Sequence, residues 1–339
     1  MANLAITTVC NQHCAYCFTV DHLGDNHRSD SSSGEQADGQ FLSMDDFAFR
    51  LDFLHRSGIE QVRLLGGEPT LHPQFSDLVN LVRMKGMQVV VFTNGLVPES
   101  ALDCLGSLSP DQCTVMVNVN QPSEAGPDGS YERRLDTLQR LGQRALLGFN
   151  IYRPDFQLDF LFAPIAEAGC KPAIRLGMAH PCLSGDNQYV HPNQYRAIAL
   201  KIVRVARLAA DSGVSLDFDC GFVRCMFSDA DLAALRAAGT KVGWRCNPIL
   251  DIDLNGDVIH CFPLSRLVRL PLTPGSDAAS MRGAFEERTG PYRQAGIFKE
   301  CSTCHFKATG ECPGGCLATT LRRFRHTPFA LEMPREVAA

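Results

Sequence analysis

The stretch Cys10-Asn11-Gln12-His13-Cys14-Ala15-Tyr16-Cys17 carries three cysteines spaced C-x3-C-x2-C. That spacing fits one tight loop, on which the thiolates can converge on a single metal centre. The loop follows Leu4-Ala5-Ile6-Thr7-Thr8-Val9, a short apolar run that predicts a first strand. A 4Fe–4S cluster that only carries electrons takes four cysteines. Three leave one iron with an open coordination position, which is what a catalytic metal needs. Zinc is the other metal to weigh, but three soft ligands with no nearby fourth are unusual for a structural zinc site.

After this loop, residues 21–40 are rich in Ser, Gly, Asp and His and show no apolar periodicity. They predict a mobile loop near the mouth of any site built on the cysteines, either a lid or plain disorder. From Phe41 helices and strands alternate. Ser43 can cap a helix whose Phe47, Leu51 and Leu54 share one face, and Gly58 ends it. Strands are expected over Gln61–Leu65, Gln88–Phe92, Cys113–Val119, Ala145–Tyr152 and Pro172–Met178. Helices are expected over Pro73–Gly86, Pro98–Leu108, Tyr131–Leu141, Asp159–Ala168 and Pro192–Ser212. With the strand before Cys10 this makes six βα units, hence an α/β fold with a parallel sheet.

The chemically suggestive residues fall at the C-terminal ends of these strands. Gly66-Gly67-Glu68-Pro69 closes the second, where glycines let the backbone approach a ligand closely. Asn94 sits at the end of the third strand, Asn118 and Asn120 at the fourth, Asn150 and Arg153 at the fifth, and Gly177 and His180 at the sixth. Arg153 is the best carboxylate partner by charge and fork geometry. Each of these positions also suits ordinary turn chemistry. Cys182 follows the sixth strand and is the one candidate for a catalytic side chain facing the cavity. Cys104, Cys113 and Cys170 lie in or beside core elements and suit packing.

Beyond residue 213 the pattern changes. Residues 251–260 predict a hairpin turning at Asn255-Gly256, flanked by Cys246 and Cys261. Cys301, Cys304, Cys312 and Cys316 follow with the spacing C-x2-C-x7-C-x3-C, and Cys220 and Cys225 stand upstream. A zinc ribbon is one way to use such thiols.

Bulk properties narrow the classes. Net charge is −5 and the pI about 6.1, with no basic stripe of the kind nucleic acid requires. Arg322, Arg323 and Arg325 suggest a solvated helix face. No apolar run approaches the ~20 residues of a membrane span, and no signal peptide is evident. Fifteen cysteines, an odd count in a long chain, point to reduced thiols and metal sites in the cytoplasm.

The three-cysteine loop, Tyr16 before its last cysteine, and the G-G-E-P segment together resemble the radical S-adenosylmethionine (radical SAM) enzymes. The resemblance implies a partial (β/α)6 barrel, an open relative of the eight-unit barrel. It implies a catalytic 4Fe–4S cluster on Cys10, Cys14 and Cys17, whose open iron chelates S-adenosylmethionine. Gly66, Gly67, Glu68 and Pro69 would hold the methionine amino group, largely through backbone carbonyls. Tyr16, Asn94, Asn118, Asn120, Asn150 and Arg153 would contribute to the rest of that cofactor site. The implied reaction splits S-adenosylmethionine into methionine and a 5′-deoxyadenosyl radical that takes a substrate hydrogen atom, with an external flavodoxin- or ferredoxin-like electron donor.

The later cysteines resemble the SPASM module, which holds two further 4Fe–4S clusters. The expected organisation is a radical SAM core over 1–213, a smaller cysteine-rich iron–sulfur domain over 214–325 and a tail over 326–339. Two departures stand out: a shortened middle gap between Cys304 and Cys312, and no cysteine after Cys316. By the resemblance, Cys246, Cys261 and Cys316 share a cluster with one of Cys220 and Cys225. Cys301, Cys304 and Cys312 take the other.

SPASM relatives often modify peptides, and others dehydrogenate or epimerise sugars and aminocyclitols. Sulfatase-maturing relatives carry an aspartate after the second hairpin cysteine, where this chain has Phe262. No leader-recognition domain is expected before the loop at residue 10. An oxidative peptide modifier is the leading expectation and a small-molecule dehydrogenase or epimerase the alternative. A non-catalytic electron-transfer or metal-binding protein is the reading from another class.

Overall fold

Alternate residues of the strands pack against a layer of helices. Val62, Leu64, Val89, Val91, Val115, Val117, Leu147 and Ile174 join Leu51, Leu54, Leu78 and Leu105 in one buried cluster, as a two-residue strand period dictates. The computed structural model describes residues 1–19, 40–122, 129–183, 187–244, 246 and 249–324. The stretch expected to be a loop near the mouth falls almost wholly outside these residues, as do the tail and Arg325.

In chain order the strands are β1 (Ala2–Thr7), β2 (Gln61–Gly66), β3 (Gln88–Thr93), β4 (Cys113–Asn118), β5 (Ala145–Ile151), β6 (Ala173–Met178), β7 (Ser215–Phe218), β8 (Leu250–Ile252), β9 (Asp257–Ile259) and β10 (Arg269–Pro271). The helices are α1 (Met44–Arg56), α2 (Phe75–Met84), α3 (Glu99–Gly106), α4 (Ser130–Leu141), α5 (Phe162–Glu167), α6 (Tyr195–Asp211), α7 (Asp229–Ala237), α8 (Ala278–Ala295), α9 (His305–Ala308) and α10 (Leu317–Phe324). Among the described residues the sheet runs β10-β9-β8-β1-β2-β3-β4-β5-β6-β7. From β8 through β1 to β7 every pairing is parallel, while β9 and β10 run antiparallel. This is the α/β class expected, an open parallel sheet of the partial-barrel kind.

Local signals placed the early elements well. Ser43 caps α1, its Oγ accepting the Asp46 N–H at 3.1 Å. Phe47, Leu51 and Leu54 are buried on one face of that helix. The helix expected from Pro73 starts at Phe75 instead, because Pro69–Leu71 first form a 3-10 turn.

The sheet does not stop at residue 213. β7, only four residues long, continues it beside β6. The hairpin at Asn255-Gly256 is present, and β8 docks parallel on β1 with Ala2 opposite Leu250. Polar contacts fix that junction. Asn3 Nδ2 donates to Asp251 Oδ1 at 2.8 Å, and the Arg50 guanidinium donates to the carbonyls of Asp253 and Leu254, both at 2.8 Å.

Arg323 departs from the solvated face expected of it. Its Nη1 donates to the carbonyls of Ala295, Gly296 and Phe298, capping the end of α8, and Arg322 lies over the Tyr189 ring. Among the described residues no helix is long and apolar enough to cross a membrane.

Candidate functional site

β1 delivers the three-cysteine loop to the C-terminal edge of the sheet. There the G-G-E segment grips the chain just before Cys10. Gly67 N–H donates to Thr7 O at 2.9 Å and Glu68 N–H to Val9 O at 2.7 Å. A Cβ on Gly66 would stand 2.2 Å from Thr7 O, and one on Gly67 2.2 Å from Val9 O. The glycines therefore let the chain leading into the cysteine loop pass close by. Pro69 opens the buried 3-10 turn after this segment.

Cys10, Cys14 and Cys17 are each partly exposed. Cys17 N–H donates to Cys14 O at 3.0 Å, which closes the turn between the last two thiols. Asn94 Nδ2 lies 3.9 Å from Cys10 Sγ, and Asn120 Nδ2 lies 3.6 Å from Cys14 Sγ. The Tyr16 hydroxyl in turn donates to Asn120 Oδ1, and its ring stacks on Tyr152 with centroids 5.0 Å apart.

Burial, then the charge of Glu68, pushes the Cys10 thiol up to about 12. Burial also raises Cys14, against the Asn120 hydrogen bond. Without metal these two thiols therefore stay protonated near neutral pH, and metal binding must release those protons. Three soft donors on one turn, with two side-chain amides directed at the sulfurs, fit an iron–sulfur cluster with three thiolate ligands.

The other strand-end residues spread around this loop. Asn118 and Asn150 each stand in register with a glycine on the next strand, Gly148 and Gly177. Their Oδ1 atoms lie 2.6 Å and 2.9 Å from where a Cβ on those glycines would be. The missing side chains make room for the amides on the inner face. Arg153 pairs with Asp155 at 3.0 Å and covers the Tyr152 ring. Cys182 is fully buried, and its thiol donates to the Phe18 carbonyl at 3.3 Å. This contact ties the segment after β6 to the end of the cysteine loop.

The sequence reading missed Arg134. Its Nε donates to Asn94 O at 2.9 Å, and its charge helps stabilise the Cys14 thiolate. It lies on the buried stripe of α4 with Ser130, Thr137, Leu138 and Leu141. A cation on an apolar stripe was the available signal.

The eight later cysteines form two groups. Cys246 and Cys261 pack against the buried cluster of Cys316, Leu264 and Leu317. Burial first, and then the charges of Cys316, Asp251, Cys246 and Cys220, push the Cys261 thiol far up. Cys220, Cys246, Cys261 and Cys316 are thus neighbours. Burial, then Cys312, Cys301 and Cys304, raises Cys225 to about 11, which places it with the other group. Among the described residues no three Cys, His, Asp or Glu side chains close on a single-ion position.

Residues 4–152 match the family model described as "Radical SAM superfamily". A GTP 3′,8-cyclase of Synechocystis sp. is 32% identical over 104 residues, 30% of this chain and 28% of that protein. A GTP 3′,8-cyclase of Edwardsiella ictaluri is 38% identical over 94 residues, 27% of this chain and 26% of that protein. The chain thus matches less than a third of the length of these curated relatives. Among solved structures, anSMEcpe with bound AdoMet aligns with a TM-score of 0.64 at 17% identity, covering 98% of this chain and 93% of that one. SuiB of Streptococcus suis bound to S-adenosylmethionine aligns with a TM-score of 0.62 at 16% identity, covering 95% and 74%.

Proposed function

Residues 4–152 form a radical SAM superfamily domain, and from that premise we propose that the chain is a radical SAM enzyme that oxidatively modifies a peptide. The observation that carries the reading is the gathering of Cys10, Cys14 and Cys17 at the end of β1 with the Asn94 and Asn120 amides directed at two of the sulfurs. When bound there, a 4Fe–4S cluster supplies the electron that splits S-adenosylmethionine and so generates the hydrogen-abstracting radical.

The chain's own residues prepare that site. Cys10, Cys14 and Cys17 would hold the cluster. Asn94 and Asn120 donate to the sulfurs and so disperse their charge. Glu68 and Thr70 fix the turn that holds the loop, and Tyr16 orients Asn120. Asn118 and Asn150 present amides on the inner face, where the methionine and adenosine groups would lie. The eight later cysteines would hold two auxiliary 4Fe–4S clusters, which would supply an electron acceptor beside the site.

Peptide modification is supported by the fold, which is shared with SuiB "bound to precursor peptide SuiA" and with anSMEcpe bound to the Cp18Cys peptide. A small-molecule substrate is the second reading. It is favoured by the curated relatives, named GTP 3′,8-cyclase and S-adenosylmethionine-dependent nucleotide dehydratase.

The test is anaerobic. The reduced, iron-loaded protein should convert S-adenosylmethionine to 5′-deoxyadenosine, and Cys17→Ala should abolish this, since two thiolates cannot hold a cluster with one open iron. Undiminished 5′-deoxyadenosine from the variant overturns the assignment.

A further inference from the structure

The loop between Cys220 and Cys225 passes from one thiol group to the other. Its start is anchored to β6, where Met178 N–H donates to Cys220 O at 3.1 Å. A Cβ on Gly221 would stand 2.5 Å from the His180 ring, so the loop presses on the end of that strand. Phe222 and Val223 are buried. Val223 Cγ1 lies 3.0 Å from where a Cβ on Gly315 would be, which brings the loop across the residue before Cys316.

Arg224 then takes the chain to the second group. Its side chain is 9% exposed. Nε pairs with Glu311 at 3.1 Å, Nη1 donates to Phe227 O at 2.8 Å, and Nη2 pairs with Asp229. The guanidinium carbon sits 4.4 Å from the centre of the Phe306 ring. Phe306 and Glu311 both lie between Cys304 and Cys312, and Cys312 N–H donates to Phe306 O at 2.9 Å. Arg224 thus grips the turn that carries two of the four thiols and holds the next residue, Cys225, beside them.

We infer that this loop closes both auxiliary cages: Cys220 completes the inner one with Cys246, Cys261 and Cys316, and Cys225 completes the outer one with Cys301, Cys304 and Cys312, with Arg224 as the positioning residue for Cys225. The inference rests on the cluster reading given under the proposed function. It also supplies a ligand where the chain has no cysteine after Cys316. Within its group Cys225 is exposed, Cys304 partly exposed and Cys301 and Cys312 buried, so Cys225 is the thiol of that group most open to solvent.

Differential alkylation of the iron-loaded wild-type protein tests this. Iron is withdrawn in steps with a chelator, and each cysteine is assayed by mass spectrometry after each step. Cys225, despite its exposure, should resist alkylation in the loaded protein. It should become reactive in step with Cys301, Cys304 and Cys312, while Cys220 changes with Cys246, Cys261 and Cys316. Alkylation of Cys225 before any iron leaves, or in step with the inner group, overturns the inference and leaves the cluster reading standing. Stoichiometric zinc with no iron at these cysteines overturns both.

Arg224→Met should speed the loss of protection of the outer group by about tenfold, through the lost cation–π and ion-pair contacts, and leave the inner group unchanged. Arg224→Lys should restore part of it. Equal acceleration of both groups would show a general folding role and overturn the positioning of Cys225 by Arg224.

Discussion

Asn94 donates its backbone N–H to Glu68 Oε2 at 2.7 Å, tying the turn after β2 to the turn after β3. The other carboxylate oxygen accepts from Thr70 Oγ1 at 2.6 Å and from Thr70 N–H at 3.3 Å. Glu68 is 1% exposed, so it acts on the cysteine loop through Asn94, whose side chain meets Asn11 Oδ1 at 2.7 Å as well as the Cys10 sulfur. An amide in place of the carboxylate would turn an NH2 group against N–H or O–H donors. Glu68→Gln is therefore expected to destabilise the apoprotein by about 1–3 kcal/mol. It should also weaken S-adenosylmethionine binding to the loaded protein while iron at the auxiliary cysteines is retained. Thermal unfolding and a binding titration check this, and an unchanged melting temperature would refute the buried-acceptor role.

The Tyr16–Asn120–Cys14 chain predicts a redox effect. Hydrogen bonds to cluster sulfurs raise the reduction potential by stabilising the extra negative charge. Asn120→Leu removes one such donor. The potential of the Cys10/Cys14/Cys17 cluster should fall by on the order of 50 mV, the one-electron equivalent of a hydrogen bond of about 1 kcal/mol. Tyr16→Phe should shift it the same way by less, because it only frees the orientation of Asn120. A redox titration followed by electron paramagnetic resonance reads both, and no shift in either variant would remove the amide from the cluster's surroundings.

The cysteine loop, the first six strands and the Ser43 cap were legible because they rest on local pattern. Ser43 caps the helix directly after it, and Val89, Val91, Val115 and Val117 alternate as strand residues must. The illegible features depend on chain distant in sequence. The docking of β8 on β1 joins Asn3 to Asp251 and Arg50 to Asp253, and no short window contains either pair. The packing of Gly66 and Gly67 was out of reach for the same reason: the atoms an added Cβ would meet belong to Thr7 and Val9. The grouping of Cys220 and Cys225 could be posed as two alternatives from the ligand count, and Arg224 against Phe306 and Glu311 favours one of them.

His72 gives the apoprotein a pH dependence. Its Nδ1 accepts from Gln74 N–H at 3.1 Å, so its Nε2 carries the proton that meets Leu42 O at 2.9 Å. Both nitrogens are committed to one neutral tautomer, and burial holds the imidazole below the ordinary value of 6.5. A lowered folded pKa means that the unfolded chain binds the proton first. The contribution of His72 is fully present above pH 6.5 and is lost as pH falls through 6.5 toward the folded value. His72→Phe should lower stability at about pH 7.5 by about 1–3 kcal/mol through the two orphaned backbone groups. It should also flatten the decline between about pH 7.5 and about pH 5.5. Equal slopes in the wild type and the variant would assign that decline to other groups.

Gly67 is the position where a single methyl group should separate the two halves of the metal chemistry. Its N–H bonds Thr7 O at 2.9 Å, and an added Cβ would meet Val9 O at 2.2 Å and Thr8 O at 2.8 Å. All three of these atoms are backbone, so no side chain can swing aside. Gly67→Ala must therefore push the Thr8–Val9 segment after β1 away from the end of β2, directly before Cys10, and the three thiols move with it. The auxiliary cysteines are tied to the fold elsewhere, through Arg293 on Cys246 O and Arg323 on the carbonyls at the end of α8. At four irons per cluster, the wild type should hold about twelve irons per chain and Gly67→Ala about eight, with 5′-deoxyadenosine formation lost. Gly106→Ala is the matched control, since a Cβ there meets nothing within 4 Å. A full iron complement in Gly67→Ala would show that β1 can yield, and the grip of the G-G-E segment on the cysteine loop would then have to be given up.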